Sequence, residues 1–467
     1  MSNTQVYNYI ANVPYIKNLN YGKDLIFNNS LIDKNYGKDD EITEEKYNKM
    51  KKKLDFYDAL PQYEQKSINW LNQRRNYICG SEAGSVLGLN SHEDQYEYLL
   101  NKISENNKFI NFELVYHGNK HEDDAKHVYE ALTNTHVSEY GFIPGCRNEK
   151  ISIYGASPDG IVSCYKNDMV HKTNKIGRML EIKCPARRKI NMDLNAKIFD
   201  IIPLYYYPQV VQQLETCELD YCDFWQCDFK DYKSKKQFDN DKGAEDYLTQ
   251  DGKFKGCLIQ ILPKNIFQEY LDNGTLNTNS TENKFNNIYN KICAHAKFIH
   301  PSTILQTNKE REQWIKDVKN QTFDQNLAEF YKIKEGYFIH KVIYWKLVKA
   351  RCYSIKRNQK YFNENFEIYQ QLWNYKNYFC DIENVNKKDI LINFIHYCQK
   401  HKKNTIEENK KLLNLNNKDC KLNTIIMQYV DYLYKYDIDD EKNKIIIEYA
   451  EKNKIEDKNL AKIFEDD

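Results

Sequence analysis

Apolar and polar positions recur with different periods along this chain, and the changes of period mark its organisation. Up to about residue 60 the pattern is polar, with consecutive Lys51, Lys52 and Lys53, and it predicts an N-terminal arm or a peripheral helix. From "PQYEQKSINWLNQRR" (61–75) the chain becomes denser and more apolar. A helix containing Trp70, read as a core aromatic, leads into "YICGSEAGSVLG" (77–88), where Ser81 reads as an N-cap and 82–87 as a short helix. Another helix runs through "NKHEDDAKHVYEALTN" (119–134), with Ala125, Val128 and Leu132 on one face.

The period then shortens. "HVSEYGFIPG", "ISIYGASPDGIVSCY" and "RMLEIKCP" read as strands separated by turn signals. The helix "YYYPQVVQQLETCE" follows, and "YCDFWQCDF" and "KGCLIQILP" are further strands. Residues 266–335 are Asn-rich and less regular, an expected insertion with helices. "VIYWKLVKARCYSIKRN" reads as a strand and turn before an amphipathic helix carrying Phe366, Tyr369 and Trp373. From 381 to 467 patterns such as "DILINFIHYC" and "LNTIIMQYVDYL" predict a C-terminal helical appendage. Strands interrupted by helices predict a mixed α/β core within 61–380, flanked by the arm and the appendage.

Composition narrows the class. Aromatic residues reach 14%, with 38 tyrosines, which favours packed structure over disorder. The formal charge is +1, from 68 basic and 67 acidic residues, and this argues against a histone-like coat while leaving room for a local basic channel. Thirteen cysteines without a CxxC pair suggest free thiols in a reducing compartment. The even spacing of Cys217, Cys222 and Cys227 matches no standard iron–sulfur ligand set. The first residues lack a basic stretch followed by an apolar one, and no apolar run approaches membrane-spanning length. The expectation is a soluble intracellular protein.

One strand carries an anomaly. In "MLEIKCPARR" (179–188), Leu180 and Ile182 form the apolar face, so Glu181 and Lys183 share the other. On an open sheet they would be solvated; in a cleft they would be costly without a purpose. Upstream, "YGASPDGIVS" puts Asp159 at a turn, which alone is ordinary turn chemistry. If the two strands pair as neighbours, Asp159, Glu181 and Lys183 converge. Two carboxylates and the Ile182 carbonyl then make an oxygen-rich site suited to Mg²⁺, with Mn²⁺ as substitute. The lysine can orient an attacking water. The "GSEAG" segment offers helix N–H groups and the Ser81 hydroxyl to a phosphate, and Arg74 can fork onto its oxygens. The plainer reading makes Ser81 an N-cap and Arg74 a surface charge. Arg187, Arg188 and Lys189 suit either a DNA channel or a solvated basic turn.

"SPDG" followed by "LEIKCP" resembles the PD-(D/E)XK nucleases, particularly the YqaJ and lambda-exonuclease branch of viral recombination exonucleases. "WLNQRRNYICGSEAGSVLG", "HGNKHEDDA" and "YYYPQVVQQL" resemble three further motifs of that branch. The similarity spans roughly 65–230, with weaker echoes to about 375. It implies a restriction-endonuclease-like core, a central mixed sheet flanked by helices. It implies that Arg74 and Ser81 hold a DNA phosphate, that Glu122 completes the acidic cluster, and that a glutamine of the following helix serves the site. The family helix usually reads Gln-Val-Gln, whereas this chain has Gln209, Val210 and Val211, then Gln212 and Gln213. Gln209 and Gln213 share a helix face and either can substitute. The implied activity is Mg²⁺-dependent hydrolysis from duplex DNA ends, 5′ to 3′, in viral recombination or repair. The implied partners are a single-strand annealing protein and further copies in a ring-like trimer, in the cytoplasm or a viral replication compartment. The competing readings are a structure-specific endonuclease and a non-catalytic DNA-end-binding module.

Overall fold

The structure, a computed structural model, describes residues 24–27, 30–31, 42–63, 67–104, 112–145, 148–166, 169–273, 282–321, 336–412 and 421–435. The ends of the expected arm, insertion and appendage (1–23, 322–335 and 436–467) lie outside the described residues.

Among the described residues a nine-stranded mixed sheet organises the fold. Its strands are β1 (Leu25–Phe27), β2 (Ser30–Leu31), β3 (Val137–Ser138), β4 (Gly160–Val162), β5 (Met179–Lys183), β6 (Tyr221–Asp231), β7 (Lys255–Pro263), β8 (Lys297–Ile299) and β9 (Tyr337–Lys356). Their order is β8-β7-β9-β6-β5-β4-β3, and β1 joins β9 in parallel, with β2 beside it. β5 and β6 are also parallel, with Glu181 opposite Phe224. The segment expected as a strand and turn is one strand of 20 residues. It pairs with β7 along its first part and with β6 and β1 further on.

Two expected strands are split. Tyr154–Ala156 and Ile143–Pro144 pair in a small separate sheet with Ile78–Cys79, while β4 and β3 pair in the main one. Both runs break together, at 139–142 and at Ser157-Pro158-Asp159, where proline removes a ladder donor and the chain turns. That break leaves Asp159 at the mouth of β4.

Helices cover both faces. On one side α4 (Phe112–Thr133) packs Ala125, Val128, Tyr129 and Leu132 against Leu180, Ile182 and Trp225. On the other, α5 (Tyr206–Cys217) sets Val210, Val211 and Leu214 against Met179, Cys222 and Phe224. Three elements preceding these in the chain are α1 (Glu44–Asp58), α2 (Ile68–Arg75) and α3 (Gln95–Ile103). Cys217 and Cys222 lie on the α5 side and Cys227 on the α4 side, all fully buried, so the evenly spaced thiols serve packing.

The N-terminal residues do more than decorate. β1 is at most 1% exposed and completes the sheet beside β9. Helix α1 closes the end of α5: Lys53 Nζ donates to the Glu218 carbonyl at 2.6 Å and the Tyr57 hydroxyl to that of Cys217. A lysine at a helix C-terminus satisfies orphan carbonyls and complements the dipole. Arg357, just past β9, holds Glu215 of α5 through two bonds of 2.8 and 2.6 Å.

The segment after β7 forms α6 (Lys264–Asn273), α7 (Glu282–His295), β8 and α8 (Asn308–Gln321). Beyond β9 come α9 (Phe366–Cys380), α10 (Val385–Lys400) and α11 (Leu422–Lys435). The last two pack on each other and on α3, and Leu391, Ile395, Ile426 and Leu433 belong to the same apolar cluster as α5. Asn423 Nδ2 also donates to Gln95 Oε1 of α3 at 3.1 Å. Ending the chain at residue 380 is therefore expected to uncover α3 and α9 and yield insoluble or low-melting protein. Leu391→Ala, at 0% exposure, is expected to cost about 2–5 kcal/mol in denaturant unfolding. A truncated chain that melts like the whole protein would show that the C-terminal helices form an independent unit.

Candidate active site

Pleating sends Met179, Glu181 and Lys183 toward α5 and Leu180 and Ile182 toward α4. Because helices cover both faces, the Glu181 side chain is 1% exposed. A carboxylate at such depth is strongly unfavourable without compensating partners. Its Oε1 receives Lys183 Nζ at 2.5 Å and Gln209 Nε2 at 2.6 Å. Its Oε2 is buried with no hydrogen-bond partner among the described residues.

The antiparallel pairing of β4 with β5, Gly160 opposite Leu180, brings Asp159 to the same place. Its Oδ2 accepts the Ile182 amide hydrogen at 2.6 Å. Burial, followed by the charges of Glu181 and Glu122, holds the Asp159 carboxyl well above its usual range. Burial works against the charge of Lys183, yet Glu181, Asp159 and Tyr206 keep it protonated and raised. Its Nζ lies 4.6 Å from the Tyr206 ring centroid, a cation–π contact. The tyrosine run that opens the glutamine helix is the signal that sequence reasoning passed over.

Helix α5 separates its glutamines. Gln209 meets Glu181; Gln212 donates to the carbonyls of Ile78 and Gly155 and to Thr216; Gln213 packs against Gly80, where a Cβ would stand 2.6 Å from its Cγ. Val211 is core. Of the candidates, Gln209 is the one beside the carboxylates.

Glu122 arrives from the opposite side. It rides on α4, the helix packed over the Leu180–Ile182 face, close enough for its charge to act on Asp159 and for that of Lys183 to act on it. Cys184 Sγ touches the His121 carbonyl at 3.6 Å, which fixes α4 to the chain just past Lys183. Burial and then Asp123 push the Glu122 carboxyl up to about 7. As the side chains stand, no three His, Cys, Asp or Glu among the described residues enclose a cation. The donor set nevertheless fits a hard divalent ion: it is all oxygen, it holds more carboxylate than Lys183 balances, and Glu181 Oε2 is buried and unpaired.

Arg74 and Ser81 meet as expected, with Arg74 Nη2 donating to Ser81 Oγ at 2.9 Å. Two local readings change. Ser81 lies inside the 3₁₀ turn Gly80–Glu82 that Cys79 begins, so it is no N-cap and its hydroxyl serves Arg74. Trp70 is outside the core: α2 has no buried residue, and the Trp70 ring lies under the Arg74 guanidinium at 4.4 Å. Arg188 is half-buried near Tyr205 and Tyr206, whereas Arg187 and Lys189 are exposed. No helix among the described residues is long and apolar enough to cross a membrane.

Residues 69–220 match the YqaJ-like viral recombinase domain family. A protein of Acanthamoeba polyphaga mimivirus, R354, is 32% identical over 400 residues, which are 84% of this chain and 67% of that protein. A protein of African swine fever virus is 28% identical over 169 residues, 32% of this chain and 44% of its own length. Crystal structures of an alkaline exonuclease (LHK-Exo) from Laribacter hongkongensis align over 35% of this chain and 74% of theirs. The first has 20% identity and a TM-score of 0.27; its complex with dAMP has 22% and 0.26.

The crowding of carboxylates has a measurable consequence. Asp159 and Glu122 both titrate above their ordinary values in the folded chain. Such groups favour the native state at low pH, and that contribution is lost as pH rises through the folded value. In chelator, the melting temperature is expected to fall as pH rises from about 4.5 to about 7, the span over which Glu122 is shifted. Asp159→Asn is expected to flatten that profile and melt a few degrees higher at neutral pH, on the order of 1 kcal/mol. Scanning calorimetry reads both; a lower-melting Asp159→Asn would show that the repulsion is not there.

Proposed function

We propose that this chain, which belongs to the YqaJ-like viral recombinase family, is a divalent-metal-dependent deoxyribonuclease that hydrolyses duplex DNA from its ends. The observation that carries this reading is Glu181: a buried carboxylate with one oxygen bracketed by Lys183 and Gln209 and the other without a partner among the described residues, beside Asp159. Glu122, Asp159, Glu181 and the Ile182 carbonyl would hold Mg²⁺ or Mn²⁺. Bound there, the ion supplies Lewis-acid stabilisation of the attacking and leaving oxygens of the phosphodiester.

The chain's own groups do the rest. Lys183, held charged between Glu181 and the Tyr206 ring, positions the nucleophilic water and faces the negative charge that builds on the phosphate. Gln209 fixes the Glu181 rotamer by occupying Oε1, so Oε2 stays available. Asp159 is aligned by the Ile182 amide, which couples the loop carboxylate to the strand. Glu181→Gln and Asp159→Asn are each expected to remove cleavage of end-labelled duplex in Mg²⁺, by at least about 100-fold, with the fold retained. Undiminished cleavage by either variant removes that residue from the assignment. A linear duplex degraded while a covalently closed circle survives supports the exonuclease over the endonuclease; cleavage of the circle reverses the order. Binding of ends without Mg²⁺-dependent cleavage would favour the non-catalytic module.

The Arg74–Ser81 pair supplies the preference for an end. A guanidinium stacked on Trp70 and bonded to a hydroxyl presents a preformed anion contact. A terminal phosphate carries more charge than an internal diester. Duplexes with 5′-phosphate are therefore expected to be degraded faster than 5′-hydroxyl duplexes. Arg74→Ala should abolish most of that difference, roughly 1.5–3 kcal/mol, while metal binding is unchanged. Equal rates on both ends in the wild type would mean that the pair is structural.

A further inference from the structure

We propose that His300, far outside the family-matched residues 69–220, is a positioning residue for Glu122. The inference rests on the reading of Glu122 as a metal ligand. His300 follows β8, which lies at the edge of the main sheet on β7 and is anchored by Ile299 in an apolar cluster with Trp314 and Val318 of α8. From there the imidazole, 5% exposed, reaches α4. Nε2 meets the Lys120 carbonyl at 2.9 Å, and Nδ1 meets Asp123 Oδ2 at 3.1 Å. A carbonyl and a carboxylate both only accept, so the ring donates from both nitrogens. One side chain thus grips the helix on both sides of Glu122.

The neighbours in that turn are also committed. Lys120 Nζ pairs with Asp231 at the end of β6 at 2.6 Å. His121 Nδ1 bonds Asp124 at 3.0 Å, and its ring stacks on Phe229 at 4.7 Å. Among residues 120–124, Glu122 alone has no hydrogen-bond or ion-pair partner among the described residues. Lys120, His121 and Asp123 tie the turn to the far end of the sheet, Asp124 braces His121, and Glu122 is left for Asp159. The sequence expected an insertion at 266–335; its His300 buttresses the helix that completes the acidic cluster.

The test uses the full chain and does not depend on cleavage. Mn²⁺ binding is measured by titration calorimetry without DNA, alongside the Mg²⁺ half-saturation of cleavage and the KM for duplex. His300→Ala is expected to weaken Mn²⁺ binding about 10-fold, as loss of a ligand-orienting partner does, with KM for DNA unchanged. His300→Asn, which keeps a donor near the Nδ1 position, should recover part of the loss. Adding His300→Ala to Glu122→Gln should weaken binding no further than Glu122→Gln alone. Should His300→Ala fail to fold, Asp123→Ala opens the same clamp from its half-exposed side and carries the same expectation. Wild-type Mn²⁺ affinity in a folded His300→Ala or Asp123→Ala protein overturns the proposal, as does an additive loss in the double variant. A wild type that binds Mn²⁺ but cleaves no DNA overturns the nuclease reading and leaves the calorimetric test of His300 standing.

Discussion

A carboxylate buried to 1% exposure on a central strand is the constraint around which this fold is arranged. Glu181 cannot relax toward water, because α4 and α5 close both faces of the sheet. Its charge must be met within the protein, and Lys183, two residues along the same pleated face, is the nearest partner that geometry allows. One lysine does not balance three carboxylates. The excess appears as a raised proton affinity at Asp159 and as an oxygen of Glu181 with no partner among the described residues, a donor set that fits a hard divalent ion.

Much of the remaining structure keeps those groups in register. Parallel pairing with β6 seats β5 in the sheet interior, and antiparallel pairing with β4 delivers Asp159. Helix α5, which carries Gln209, is closed at its C-terminus by Lys53 and Tyr57 and tied sideways by Arg357 through Glu215. Those contacts come from residues 53, 57 and 357, so segments that look peripheral in the chain hold a central helix in place. The C-terminal helices extend the same cluster through α3.

The fold was legible where periodicity is strong. The face of α4 with Ala125, Val128 and Leu132 is buried as read, and the runs read as strands at 221–229 and 255–263 are strands, the first extending to Asp231. It was less legible where pairing decides. Two apparent strands divide between two sheets because their halves find different partners, which hydropathy cannot express. Trp70 reads as core by residue type, yet it lies under Arg74 on a helix with no buried residue. Ser81 reads as a cap, yet the turn begins at Cys79 and frees its hydroxyl.

By itself the sequence determined the chemistry on offer: the Glu-Ile-Lys alternation, an aspartate after proline, and an arginine seven residues before a serine. Strand geometry then forces Glu181 and Lys183 onto one face, because side chains alternate with a period of two. Only the tertiary structure decided which glutamine meets Glu181, because helix rotation against the sheet, set by packing of Val210 and Val211, selects Gln209. It alone brought Glu122 within reach of the charges on Asp159 and Lys183 and joined His300 to the turn that carries it. Those are contacts between residues remote in the chain, and they depend on how whole faces pack rather than on any local pattern of residues.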